Sequence, residues 1–133
     1  MAHGIFGTAI NCMDGRTQLP VANWMKEQYG LDYIDTITEP GPDKILASAQ
    51  GQLVESIKSR LLISVKAHGS KIIAIVAHND CAGNPVDKEQ HLLHVKKSIQ
   101  TVCSWNLPVE KIIGLWVNED WKVEVIESTI QPV

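Results

Sequence analysis

Nothing in this chain reads as an export signal, a membrane anchor or a grip on nucleic acid. The N-terminal Met1-Ala2-His3-Gly4 has no basic stretch leading into a long apolar core, so no secretory signal is expected. No apolar run approaches the roughly 20 residues that span a bilayer. The 12 lysines and arginines form no cluster, and against 15 acidic residues they leave a formal charge of −3. With a pI near 5.9, that balance makes nucleic acid a poor partner. Cysteine is scarce and odd in number, at three. Without an export signal, such residues read as thiols in a reducing compartment rather than a disulfide framework, and a cytoplasmic location is expected. Internal repeats, low-complexity tracts and linkers are also missing. The 133 residues, 44% of them hydrophobic, therefore fit one domain over residues 1–133 with one core.

What is present is an alternation of strand and helix patterns. Residues 5–11 read as a buried strand. Leu19 to Tyr29 reads as a helix, with Pro20 early and Gly30 at its end. Tyr33 to Thr38 reads as a second strand, broken by the turn Glu39-Pro40-Gly41-Pro42. One long helix is expected from Asp43 to His68, since Ile45, Leu46, Ala49, Leu53, Ile57, Leu61 and Val65 recur on one face. Gly51 within it marks a kink or a close contact. Residues 71–77 are apolar on both faces, as a central parallel strand is. A further helix spans Asp87 to Trp105, and Lys111 to Val117 is a fourth strand. After the turn Asn118-Glu119-Asp120, the alternation from Trp121 to Ile126 predicts a half-exposed antiparallel edge strand.

Repeated strand–helix units imply an α/β fold: a mainly parallel sheet of order 2-1-3-4, with an antiparallel edge strand, flanked by helices. In such sheets the site lies beyond the carboxyl ends of the strands, where the order reverses. Cys12 follows the first strand, with Asp14 and Arg16 just beyond it. His78 and Cys81 follow the third. Two thiolates and one imidazole form a three-ligand metal set suited to zinc. No fourth protein ligand is obvious, which leaves a position for water or substrate. A thiol pair without metal is the competing reading.

The spacing Cys12-x-Asp14-x-Arg16 with His78-x-x-Cys81 resembles the β-class carbonic anhydrases, of which this would be a short, divergent member. The resemblance extends over most of the chain in the order of its elements. It implies zinc on Cys12, His78 and Cys81, with Asp14 and Arg16 as the catalytic pair beside it. It also implies reversible hydration of carbon dioxide to bicarbonate by a zinc-bound hydroxide, a carbonate dehydratase activity. Asp14 is expected either to be held by Arg16 or to occupy the fourth zinc position. Two features depart from the family pattern. The usual Arg-Asn-Ala-Gly-like segment is replaced by Thr36-Ile37-Thr38-Glu39-Pro40-Gly41-Pro42, and Ala82 stands where glycine usually follows the second cysteine.

Two alternatives accompany that reading. One is a carbonyl sulfide or carbon disulfide hydrolase on the same scaffold. The other is a non-catalytic zinc-binding regulatory or interaction module. A cysteine phosphatase is a poor fit, because Gln18 stands where its loop needs arginine. The segment Ala82-Gly83-Asn84-Pro85 is either a source of backbone N–H donors to a thiolate or a plain connection. Cys103 is expected to pack on a helix face, and His3, His68, His91 and His94 to be surface or core residues. A proton relay would draw on His68, His91 or His94. The expected partners are a small neutral substrate and further copies of the chain, as a homodimer or higher homo-oligomer. Trp24, Trp105, Trp116 and Trp121 would serve an interface or the core.

Overall fold

The computed structural model describes residues 3–130, so Met1 and Ala2 of the N-terminal reading lie outside the described residues. The elements run β1 (Phe6–Cys12), α1 (Gln18–Tyr29), β2 (Tyr33–Glu39), α2 (Pro42–Ala47), α3 (Gln52–Ala67), β3 (Ile72–His78), α4 (Lys88–Cys103), β4 (Lys111–Val117) and β5 (Val123–Ile130). The five strands form one sheet in the order β2-β1-β3-β4-β5. All pairs are parallel except β4 with β5, which is antiparallel. This is the expected topology. The order reverses between β1 and β3, and the carboxyl ends of those two strands face the same crevice.

The sheet carries apolar side chains on both faces because helices cover both. Ile10, Ile73, Ile75 and Ala77 point to the side of Leu46, Ile57, Leu61, Val95 and Ile99. Ala9, Ala74 and Val76 point to the side of Val21 and Met25. Every residue of β3 is buried, which explains why its sequence lacks polar alternation. Trp116 belongs to the core, while Trp24, Trp105 and Trp121 are half-buried against it. Cys103 packs against the core from α4, as expected. Among the described residues, no helix is long and apolar enough to cross a membrane.

Two expectations need correction. The single helix from Asp43 to His68 is two helices, α2 and α3, separated by Ser48 to Gly51. Ala49 takes φ 69° and Gly51 takes φ 131°, conformations that no α-helix contains. The apolar pattern runs across the break because both helices pack on the same sheet face. The break nevertheless shifts the phase, so Val54 is buried and Leu53, expected inside, is 54% exposed. The second correction concerns the edge. Trp121 precedes β5 with φ 59° rather than lying in it. A bulge opposite Gly114 and Leu115 then interrupts the alternation, leaving Val125 exposed and Ile126 packed on the core.

Candidate metal centre

Ile10 of β1 lies opposite Ile75 of β3, so Cys12 and His78 reach the same end of the sheet from adjacent strands. The turn after β3 brings Cys81 back beside them. The Cys12 and Cys81 sulfurs are 3.9 Å apart. Their sulfurs and a ring nitrogen of His78 all lie within 4.8 Å of one another, and all three residues are buried. The residues separated by more than sixty positions in sequence thus form one cluster, the one such group of three or more found among the described residues.

The chemistry of this cluster fits a soft divalent cation. The Nδ1–H of His78 donates to the Asn79 carbonyl at 2.7 Å, which leaves the lone pair on Nε2. That Nε2 is buried and has no hydrogen-bond partner. A buried acceptor left in this state costs about 1–3 kcal/mol, a cost that a cation removes. At this distance either sulfur can donate a hydrogen bond to the other. The hydrogen bond from Cys81, aided by the backbone N–H groups of Gly41 and Asp14, draws the Cys12 thiol well below its ordinary range against the effect of burial. The negative sulfur of Cys12, together with burial, pushes the Cys81 thiol up, while the N–H groups of Asn84 and Gly83 pull it back. A divalent cation bound here would be held by the two sulfurs and His78 Nε2. The segment after Cys81 therefore does supply backbone donors. So does Gly41, in the stretch that replaces the Arg-Asn-Ala-Gly-like segment.

Asp14 and Arg16 form a two-pronged pair at the edge of the cluster. Arg16 Nε donates to Asp14 Oδ1 at 3.0 Å and Nη2 donates to Oδ2 at 2.7 Å. The Arg16 backbone N–H adds a bond to Oδ1 at 2.9 Å. Asp14 Oδ2 is 4.0 Å from His78 Nε2, so the carboxylate faces the donor cluster while Arg16 holds it from behind. Of the two arrangements left open by the sequence, the structure has the paired one. The Arg16 guanidinium holds the Asp14 carboxyl down at about 2. In the metal-free chain, removing that partner in Arg16→Ala is expected to move the Asp14 midpoint upward toward 3.8, read by carboxyl carbon NMR during an acid titration. The same shift gives the sign of its effect on stability. The pair stabilises the fold above the ordinary carboxylate range, and that contribution is lost as pH falls through about 2.

Four residues of the surroundings escaped sequence reasoning. Arg16 is itself held by Asp80, whose carboxylate accepts from Nη1 at 3.3 Å and whose carbonyl accepts from Nη2 at 3.2 Å. The Trp121 ring lies 4.4 Å from the guanidinium carbon and 6.3 Å from the His78 ring. Gln18 donates through Nε2 to the Cys12 carbonyl at 2.6 Å and so fixes the turn after β1. Gly41 is the fourth. No spacing rule connects Asp80, Trp121 or Gly41 to Cys12, because they come from other segments of the chain, and Gln18, at the start of α1, meets Cys12 only through the turn that separates them. The histidines outside the cluster lie elsewhere. His68 meets Asp35 at 2.6 Å, and His91 is buried against Asp43.

Residues 2–127 match a protein-family model described as "Putative carbonic anhydrase". The chain belongs to that family. No curated protein matches the sequence significantly. Solved structures share the fold at low identity. The β-carbonic anhydrase isoform I of Trichomonas vaginalis superposes with a TM-score of 0.58 at 20% identity, covering 96% of this chain and 83% of that one. A carbonic anhydrase from Glaciozyma antarctica gives 0.59 at 18% identity, covering 90% and 80%. One of two tetrameric β-carbonic anhydrases from Sordaria macrospora gives 0.61 at 10% identity, covering 96% and 84%. The β-carbonic anhydrase fold is thereby the fold of this chain.

Proposed function

We propose that the chain is a zinc-dependent lyase that reversibly hydrates carbon dioxide to bicarbonate, with Cys12, His78 and Cys81 holding the metal and Asp14 and Arg16 serving the reaction. The carrying observation is the buried, partnerless Nε2 of His78 beside two sulfurs and an arginine-held carboxylate. A donor set of two sulfurs and one nitrogen favours zinc over hard cations such as magnesium and calcium. Zinc in such a site supplies the acidity that makes water a nucleophile near neutral pH. (Carbonic anhydrase is the standard instance of that effect, on a different ligand set.)

The chain's own residues do the rest. Arg16 occupies both oxygens of Asp14 from one side and fixes their direction. Oδ2 keeps a lone pair on the side of the cluster, where it accepts an O–H bond of the reacting water and turns that oxygen toward the carbon. Asp14 stays charged throughout the working pH range because Arg16 holds its carboxyl at about 2. The Trp121 ring packs beside the Arg16 guanidinium, whose side chain stays 47% exposed. The substrate is small and neutral and needs no charged subsite. Cysteine usage supports a cytoplasmic location, and the family supports a homodimer or higher homo-oligomer.

The decisive assay is stopped-flow hydration of carbon dioxide at mildly alkaline pH, with carbonyl sulfide and carbon disulfide run beside it. Turnover of carbon dioxide supports the reading. Turnover of a sulfur analogue alone moves the substrate. A fully zinc-loaded chain inert to all three is a binding module. Zinc is also expected to stabilise the fold, because its ligands tie β1 to the end of β3. At a thousandfold excess over Kd, binding contributes about 4 kcal/mol, which corresponds to roughly 15 °C in Tm for a chain of this size. Thermal melts before and after verified chelation read this directly, and an unchanged Tm refutes it.

A further inference from the structure

The two loops that face the sulfurs are pressed together. A Cβ on Gly83 would lie 2.4 Å from the Pro40 carbonyl carbon and 2.7 Å from the Gly41 nitrogen. A Cβ on Gly41 would lie 2.8 Å from the Gly83 carbonyl carbon. Only glycine at both positions allows backbone to meet backbone this closely. The contact sets the Gly41 N–H against Cys12 and the Gly83 and Asn84 N–H groups against Cys81.

Behind this contact sits a fully buried carboxylate, Asp43, at 0% exposure. Its Oδ2 accepts from Asn84 Nδ2 at 3.1 Å and from His91 Nδ1 at 2.7 Å. The Asn84 amide also donates to His94 Nδ1 at 2.9 Å, and Ser98 Oγ donates to the Asp43 carbonyl at 2.9 Å. One residue at the start of α2 is thus tied to the loop after Cys81 and to α4 at once. As a source of stability the knot is poor. Asp43 Oδ1 and His91 Nε2 are buried with no partner, and buried charged groups commonly lose to apolar packing of the same volume. What the knot does hold is direction: it fixes Asn84, and with it the register of the two loops.

We propose that Asp43 is a positioning residue for the metal centre, acting through Asn84 and His91 to hold the backbone N–H groups of Gly41, Gly83 and Asn84 on the two sulfurs. The proposal rests on the reading that Cys12 and Cys81 bind metal. N–H groups aimed at a thiolate draw electron density from it and so tune what it gives the metal. Asp43 touches neither substrate nor metal.

The test uses the full chain loaded with cobalt(II), whose thiolate charge-transfer band reports on the sulfurs independently of turnover. In Asp43→Asn and His91→Leu the band is expected to move to longer wavelength, and cobalt affinity to fall about 10–100-fold. His91→Asn returns a donor near the position of Nδ1 and is expected to restore both. If Asp43→Asn does not fold, the two His91 variants decide the matter. Wild-type band position and affinity in the variants, with only Tm lowered, would overturn the proposal and leave a structural knot. A shift that His91→Asn fails to reverse assigns the effect to packing and also overturns it. Wild-type protein that binds cobalt with no thiolate band removes the metal-centre reading itself, and the role of Asp43 falls with it.

Discussion

Cys12→Ser, His78→Ala and Cys81→Ser are each expected to lower zinc affinity by at least about 100-fold, since losing a direct ligand costs more than the 10–100-fold typical of an outer partner. Purified wild type is expected to carry about one zinc per chain, as a single three-ligand site implies. The effect is large because the three donors are buried and converge within 4.8 Å, so each variant removes one donor from the one such group among the described residues. His78→Ala removes the one nitrogen whose lone pair has no other partner. Cys12→Ser replaces the sulfur whose thiol is drawn down by its hydrogen bonds with a hydroxyl that stays protonated. Cys103→Ala is the control. Cys103 packs against the core from α4, away from the cluster, and its variant should keep its zinc. Elemental analysis of the four proteins reads the outcome, and full zinc retention in any two of the ligand variants removes the assignment.

Asp14→Asn is expected to keep zinc and lose about 100-fold in turnover, the scale of one acceptor group fixed at a reacting centre. The amide preserves the shape of the side chain but turns one oxygen into a donor, so the paired acceptance of Arg16 at both oxygens is broken. Arg16→Ala is expected to be comparably slow for a different reason. Asp14 is released from its clamp and is free to swing onto the metal, its Oδ2 already standing 4.0 Å from His78 Nε2. The two variants separate in their metal spectra: Asp14→Asn keeps the wild-type coordination, whereas Arg16→Ala gains an oxygen ligand. Equal activity of wild type and Asp14→Asn would leave the metal chemistry standing and remove the pair from it.

The strand order, the crevice between β1 and β3 and the three metal-capable side chains were legible in the sequence, because each rests on short-range patterns. Apolar runs marked the strands, and the right-handed rule for parallel crossovers left few ways to arrange them. Cys12, His78 and Cys81 stood directly after two of those runs, where any open α/β sheet gathers its chemistry. The pairing of Asp14 with Arg16 needed the structure, since both a paired and a metal-bound carboxylate satisfy the same spacing. The break at Ala49 and Gly51 was hidden for a related reason. Both helices press on one sheet face, so hydrophobic periodicity persists through a change of backbone that it does not encode. Trp121, Asp80, Gly41 and the Asp43–Asn84–His91 knot were beyond sequence reasoning altogether. Trp121, Gly41, Asp43 and His91 reach the site from other elements, while Asp80 and Asn84 stand beside Cys81 but meet partners 64 and 41 positions away, so only the packing of those segments brings them together. Local pattern determined which residues stand at the candidate site; long-range packing decided which way they face and what holds them there.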